Sequence, residues 1–245
     1  MGVPNQFNDI IQQHLNVFAA WVPIVNKYTL GDYGIFADGI FSKLGNITED
    51  FQVTFKKGSG EEASIDFASE GVSIVKPGAN AGVGVAPGVN LKANVQITFS
   101  REKSFLIKSP TITVVTIENV NEVAKKLQAN GQWDGKWKVV HQVYNALDAV
   151  IVSTIEAGTK LDFSGDVSAL GKMKLGSAGI NIDTNKALGL KINGKSGVIG
   201  LGLFKLKSKL FGGWKVDVLA QKAHENEEDE AAILLKPGDV KKDDL

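Results

Sequence analysis

The sequence predicts an α+β fold: a twisted, mostly antiparallel sheet with two long extendable β-hairpins and flanking helices. Three observations predict it. In the stretch 83–99 the odd positions read Val83, Val85, Pro87, Val89, Leu91, Ala93, Val95, Ile97 and Phe99, while the even positions are small or polar. That is the period-two signature of a strand with one apolar face. A second run, 160–175, places Leu161, Phe163, Val167, Met173 and Leu175 on one parity and Asp162, Ser164, Asp166, Ser168, Lys172 and Lys174 on the other, broken only at Leu170. Third, Phe7, Ile10, Ile11, Leu15, Phe18 and Val22 recur at helical spacing.

Taken in order, the chain opens with an amphipathic helix over 5–22, with Asn5 as N-cap and Pro23 as terminator. An irregular aromatic-rich segment, 28–47, follows as a short strand, an apolar loop and the start of another strand. Phe51, Val53 and Phe55 alternate as a strand that turns at Lys57-Gly58-Ser59-Gly60. Ala63, Ile65 and Phe67 resume the alternation, and its parity switches to Val72 and Ile74 after Gly71, which predicts a bulge at that glycine. A turn at 76–80 then leads into the long 83–99 strand, completing the first hairpin. Ile112, Val114 and Val115 read as a strand. Asn119 and Glu122 form a capping box for a short helix holding Val120, Val123, Ala124 and Leu127.

Two apolar strands, 137–144 and 149–155, precede the second hairpin. That hairpin is expected to run out from 160 to 175, turn near Asp183-Thr184-Asn185-Lys186 and return through Leu188, Leu190 and Ile192. From 198 to 206 apolar residues occupy both parities, as in a strand buried on both faces, with Gly200 and Gly202 allowing close approach. The acid-rich end, 223–245, reads as a solvated terminal tail on a single domain of residues 1–222.

Composition narrows the function. The 27 basic and 27 acidic residues balance, and there is no cysteine, which excludes disulfides, thiol nucleophiles and thiolate metal sites and fits a cytosolic address. No signal peptide is evident, and Gln6 stands where a myristoylation pattern requires Ser or Thr. The apolar stretch 17–25 is far shorter than the roughly 20 residues of a membrane helix, so any membrane crossing is left to strands.

The histidines His14, His141 and His224 lack metal-ligand spacing, and neither a nucleophile elbow nor a phosphate-binding glycine fingerprint is present. The chain therefore reads as a non-enzyme without a cofactor. Trp133 and Trp137 beside Lys136 and Lys138 suggest base stacking, yet no RNA-recognition pattern accompanies them and no nucleic-acid partner is expected. Asn46-Ile47-Thr48 is a glycosylation sequon only in a secreted chain.

A membrane strand needs about 9 to 11 tilted residues with one face to lipid and the other to water, and both alternating runs are long enough. They also fit a soluble β protein with one wet face. The stretch 172–215 is the most basic, and near anionic lipid each lysine gains about 1 kcal/mol.

The order of elements resembles the pore-forming domain of the gasdermin family over roughly residues 5–220. The stretches that carry the likeness are Trp137-Lys138-Val139-Val140-His141-Gln142-Val143-Tyr144, similar to the strand before that family's second hairpin, and Gly197-Val198-Ile199-Gly200-Leu201-Gly202-Leu203, similar to the strand after it. With only an acidic tail at 223–245, the chain resembles the stand-alone fungal or microbial members that lack a C-terminal inhibitory domain.

The resemblance implies a cytoplasmic soluble form that binds an anionic phospholipid membrane and forms a homo-oligomer, or a hetero-oligomer with a related protein. It then inserts two hairpins per protomer at the cell membrane as a transmembrane barrel that causes lytic cell death, in allorecognition or innate immunity. Val83, Val85, Val89, Leu91, Val95, Ile97, Leu161, Phe163, Val167, Met173, Leu175, Leu188, Leu190 and Ile192 would face lipid. In animal members the first helix is basic and touches acidic lipid, but 5–22 here holds only Asp9 as a charged residue. Lipid contact would therefore fall to Lys172, Lys174, Lys191, Lys195, Lys205, Lys207 and Lys209. The alternative is a soluble β-rich lipid-binding or assembly protein that forms no pore.

Overall fold

The computed structural model describes residues 3–37, 40–75, 94–164, 179–182, 188–207 and 231–237. They form an α+β fold dominated by antiparallel strands. Helix α1 (Val3–Leu15) is followed by β1 (Phe18–Ala19), β2 (Asp32–Ala37), β3 (Ile40–Asn46), the single turn α2 (Ile47–Asp50), β4 (Lys57–Ser59), β5 (Ala63–Ala68) and β6 (Val72–Val75). Next come β7 (Asn94–Phe99), β8 (Phe105–Ile117), α3 (Val120–Gln128), β9 (Lys138–Thr154), β10 (Thr159–Ser164), β11 (Gly179–Ile182), β12 (Leu188–Leu206) and β13 (Ala232–Leu235). A nine-stranded sheet has the path β1-β12-β9-β2-β3, with β13 on β12, β8 on β9, and β4 and β5 on β8; a four-stranded sheet has the order β11-β10-β7-β6.

The chain divides into two compact units. One holds Met1–Phe7, Glu62–Thr113 and Asn145–Gly197; the other holds Asn8–Glu61, Val114–Tyr144 and Val198–Leu245. In the second unit the core gathers Phe18, Phe41, Val123, Leu127, Val139, Val140, Leu201 and Phe204. The doubly apolar run beginning at Val198 is buried from Val198 through Phe204, as its pattern requires. At Gly200 a Cβ would lie 2.8 Å from Val17 Cγ2, so only glycine lets the chain before β1 approach β12.

The first helix is shorter than its periodicity suggests. It stops at Leu15, where Asn16 takes a left-handed φ of 53° and donates its N–H to the Gln12 carbonyl. Asparagine tolerates that conformation at a helix end better than most residues. Phe18 and Ala19 then pair with Leu201 and Gly200, so sheet hydrogen bonds replace further helical ones.

The expected strand at Phe51, Val53 and Phe55 is irregular chain, because Gln52 sits at φ 56°, outside the extended region. The predicted turn at Lys57-Gly58-Ser59 is instead strand β4, paired with Ile117, Thr116 and Val115. The two strands expected over 137–155 are one, β9. Asp148 at φ 49° absorbs the polar interruption, and its N–H is held by Ser196 Oγ at 3.2 Å. Helix α3 forms where predicted, but Asn119 makes no side-chain cap bond to it. Its Oδ1 accepts from the Lys56 N–H and its Nδ2 donates to Glu122 Oε2, each at 2.8 Å.

Within the acid-rich end the described residues, 231–237, include a strand. Ala232–Leu235 pairs with Leu203–Leu206, and Leu235 is buried. At the start of β2, the carboxylate of Asp32 is fully buried. It accepts from the Thr29 N–H and hydroxyl, from Asn46 Nδ2 and from Lys43 Nζ, the last at 2.8 Å. Asn46 also caps α2 by accepting from the Thr48 N–H, so the sequon asparagine is occupied in tying β2, β3 and α2 together.

His141 on β9 is buried beside the ring of Phe204, and burial pushes its imidazole down to about 4 from the usual 6.5. The unfolded chain binds that proton near the ordinary value, so the neutral form's contribution is complete above pH 6.5 and is lost progressively as pH falls toward 4. We expect the folded chain to lose about 3 kcal/mol across that window on this account. Urea unfolding at pH 7.5 and pH 4 should show His141→Gln losing correspondingly less stability than the wild type.

Candidate functional site

The four-stranded sheet joins two hairpins distant in sequence. In the first, β6 runs antiparallel to β7, pairing Val72 with Phe99 and Ile74 with Ile97. In the second, β10 runs antiparallel to β11, pairing Leu161 with Ile182 and Phe163 with Ile180. The hairpins meet through β7 and β10, with Ile97 opposite Leu161 and Val95 opposite Phe163.

Residues paired across an antiparallel sheet share a face, so the registers generate rows. Ile74, Ile97, Leu161 and Ile182 form one row across all four strands; Val95, Phe163 and Ile180 form another; Val72, Phe99 and Thr159 form a third. The intervening rows are Ser73, Thr98 and Lys160, then Val75, Gln96, Asp162 and Asn181, then Asn94, Ser164 and Gly179. Apolar and mainly polar rows therefore alternate in phase over the full width of the sheet. Within the folded chain Ile97, Phe99 and Leu161 are buried while Lys160 is exposed, and Ile74 on the outer strand β6 keeps 39% of its surface in water.

Several sequence-derived residues meet here. Val95 and Ile97 lie on β7, and Leu161 and Phe163 on β10. Leu188, Leu190 and Ile192 do not, because they begin β12 in the larger sheet, and the return of β10 is β11. The register from Leu161↔Ile182 to Ser164↔Gly179 puts the connection of the second hairpin between Ser164 and Gly179, not at Asp183–Lys186. Two isoleucines spaced by one residue are too short a pattern to announce β11, so Ile180 and Ile182 were missed, as was the site role of Val72 and Ile74. Val83, Val85, Val89, Leu91, Val167, Met173 and Leu175 lie outside the described residues, as do Lys172, Lys174 and Lys209. Lys191, Lys195 and Lys205 fall along β12 with Lys207 just beyond it; Lys195 is exposed and Lys205 and Lys207 are half-buried.

Gly71 is not a bulge. At φ 88° it closes a turn between β5 and β6, which belong to different sheets. Elsewhere, Tyr33, Phe51, Trp133 and Trp137 pack so that every pair of ring centroids lies 4.9 to 6.0 Å apart. The rings fill the space between them, so this cluster is core and not an open stacking platform. A cleft of about 490 Å³ beside the β2–β3 hairpin is lined by Trp21, Lys27, Tyr28, Ile40 and Lys43 among others, and Lys43 is engaged there with buried Asp32. Among the described residues, no group of three or more His, Asp or Glu is placed to hold a metal ion, and no helix is long and apolar enough to cross a membrane.

No family model matches the chain, and no curated protein matches it. Among solved structures it is similar to the Gasdermin A3 membrane pore determined by cryo-EM, at 10% identity and a TM-score of 0.35, covering 94% of this chain and 97% of that one. So remote a likeness carries no argument about activity.

The unequal burial of one row makes a stability test. Ile97→Arg puts a cation in a dry site and should cost several kcal/mol, on the order of 3 or more. Ile74→Arg, in the same row but at the wet edge, should shift stability by less than about 1 kcal/mol. Thermal or urea unfolding of the two variants checks the difference.

Proposed function

We propose that this chain permeabilises membranes: a soluble, gasdermin-like protein of the stand-alone type that binds anionic phospholipid, oligomerises and inserts two hairpins per protomer to form a transmembrane β-barrel. The observation that carries the reading is the in-phase alternation of apolar and mainly polar rows across four antiparallel strands. A barrel wall with lipid on one side and water on the other needs that pattern, and four strands per copy supply it as a unit.

The lateral edges suit closure. Among the described residues β6 and β11 are each paired on one side only. Because all neighbours are antiparallel, β6 of one copy laid against β11 of the next continues the alternation, and a closed ring leaves no unpaired backbone edge in lipid. The described strands hold 4 to 6 residues, fewer than the roughly 9 to 11 of a membrane strand. The alternating sequence at 83–93 and 165–175 supplies the additional length.

In this reading Val83, Val85, Val89, Leu91, Val95, Ile97, Leu161, Phe163, Val167, Met173 and Leu175 meet lipid, joined by Ile74, Ile180 and Ile182. Lys172, Lys174, Lys191, Lys195, Lys205, Lys207 and Lys209 attract anionic headgroups. The partner is a second copy or a related chain, and the soluble form is cytoplasmic until it assembles at the cell membrane. The action is physical, with no catalytic step and no cofactor, and it ends in lytic death of the cell, in a setting of allorecognition or innate immunity.

A second reading rests on one observation. Ile97, Phe99 and Leu161 are already buried in the folded chain, so these three side chains are satisfied without lipid, as they would be in a soluble lipid-binding or assembly protein.

Dye release from anionic liposomes separates the two. The wild type should release dye, and Ile74→Arg should abolish release while remaining folded, since a cation at mid-membrane on a barrel's lipid face costs about 2 to 4 kcal/mol per copy. A wild type that binds vesicles without leakage supports the soluble reading. Charge reversal at Lys195, Lys205, Lys207 and Lys209 should weaken sedimentation with anionic vesicles, with the difference shrinking as salt rises.

A further inference from the structure

The two sheets share one lateral order. In the larger sheet β5 pairs with β8, β8 with β9 and β9 with β12; in the smaller the order is β6, β7, β10, β11. Each strand of the first series is joined through the chain to the strand of the same rank in the second: β5 to β6, β8 to β7, β9 to β10 and β12 to β11. The small sheet is thus the continuation of four strands of the large one, interrupted at each strand by a short connection. Three of these connections, 69–71, 100–104 and 155–158, lie among the described residues.

Those three connections are bonded to one another or to the strand ends beside them. Ser100 donates to the Gly71 carbonyl from both its N–H, at 2.8 Å, and its hydroxyl, at 3.0 Å, and Arg101 makes a bidentate pair with Glu70 at 2.7 and 2.9 Å. The Thr154 N–H donates to the Ser104 carbonyl at 3.0 Å, and the Gly158 N–H to the Phe99 carbonyl at 2.7 Å. Each connection also contains one left-handed residue: Gly71 at φ 88°, Lys103 at φ 55° and Gly158 at φ 79°. A left-handed residue departs from the extended backbone of a regular strand. These three positions are where the chain leaves one sheet for the other.

We propose that Gly71, Lys103 and Gly158 are hinge residues, and that their conversion from left-handed to extended backbone fuses β6 with β5, β7 with β8 and β10 with β9. The product is three continuous antiparallel strands, with the Glu70–Arg101 pair and the Ser100 and Thr154 bonds acting as the latch on the bent form. The purpose of the device rests on the membrane-permeabilising reading; its existence does not. Two glycines adopt the bent form without steric cost, whereas Lys103 carries the strain of a side chain in the left-handed region, so the bent form is held under tension at that residue. The exposed ion pair is worth little alone and acts with the backbone bonds.

Gly158 gives the cleanest test, because a Cβ there would meet nothing within 4 Å, so the first effect of a substitution is on the backbone. Hydrogen exchange of the full chain in solution reads the latch at the amides of Ser100 and Thr154. Gly158→Val, which disfavours the left-handed form, should speed their exchange about tenfold. Gly158→Asn, which tolerates that form, should stay within about twofold of the wild type. Lys103→Gly should slow exchange, and Glu70→Arg should speed it, with Arg101→Glu added to Glu70→Arg restoring the wild-type rate. Equal exchange in the Val and Asn variants, or unchanged exchange in Lys103→Gly, overturns the hinge. Dye release from anionic liposomes is run on the same proteins: faster leakage by Gly158→Val supports the hinge in its membrane role. No leakage from any protein, with the exchange pattern as expected, leaves the hinge supported and overturns the permeabilising reading instead.

Discussion

The pairing of β7 with β10, from Asn94↔Ser164 to Phe99↔Thr159, is the constraint on which the four-stranded sheet depends. It joins two hairpins that are remote in sequence and sets their phase. Because side chains alternate with a period of two, a slip of one residue at this seam would move Leu161 and Phe163 onto the face that carries Gln96 and Thr98. The apolar rows would then stop at the middle of the sheet. Burial of Ile97, Phe99 and Leu161 enforces the register, since exposing any one of them forfeits roughly 1.5 to 3 kcal/mol.

In the unit that holds β2, β3 and α3, a buried carboxylate does comparable work by different physics. Asp32 loses all its hydration, a cost several kcal/mol deep, and recovers it through four donors on Thr29, Asn46 and Lys43. Those donors come from the chain before β2 and from β3, so satisfying one charge orients the whole hairpin. Among the described residues no charged partner is placed against His141, whose ring lies beside Phe204. It stays neutral in the core, and its presence makes this unit sensitive to acid where a carbon side chain would not.

Edges and connections matter as much as cores. The outer edge of β12 is occupied in sequence by β1 and β13, two strands of 2 and 4 residues drawn from opposite ends of the described chain. Among the described residues the small sheet keeps single-sided strands, β6 and β11, at both its edges. A strand paired on one side only leaves backbone groups open to pairing with a further strand. The left-handed residues at the sheet junctions limit how far each strand runs before it bends.

The sequence by itself determined what repeats: the amphipathic alternation of β5, β7 and β10, the doubly buried stretch of β12, the helical periods of α1 and α3, and the antiparallel sense of the first hairpin. Periodicity reports which faces of a segment are apolar, and burial obeyed it at Ile97, Leu161 and Leu201. Only the tertiary structure decided where segments end and which edges meet. Asn16, Gln52 and Asp148 take left-handed backbone angles that their identities permit but do not demand, and each changes an element boundary. β4, β11 and β13 are too short to have a period, and they exist as strands because Thr116, Phe163 and Phe204 offer backbone partners to Gly58, Ile180 and Leu234. Pairing is a property of two segments brought together, and a pattern along one of them cannot contain it.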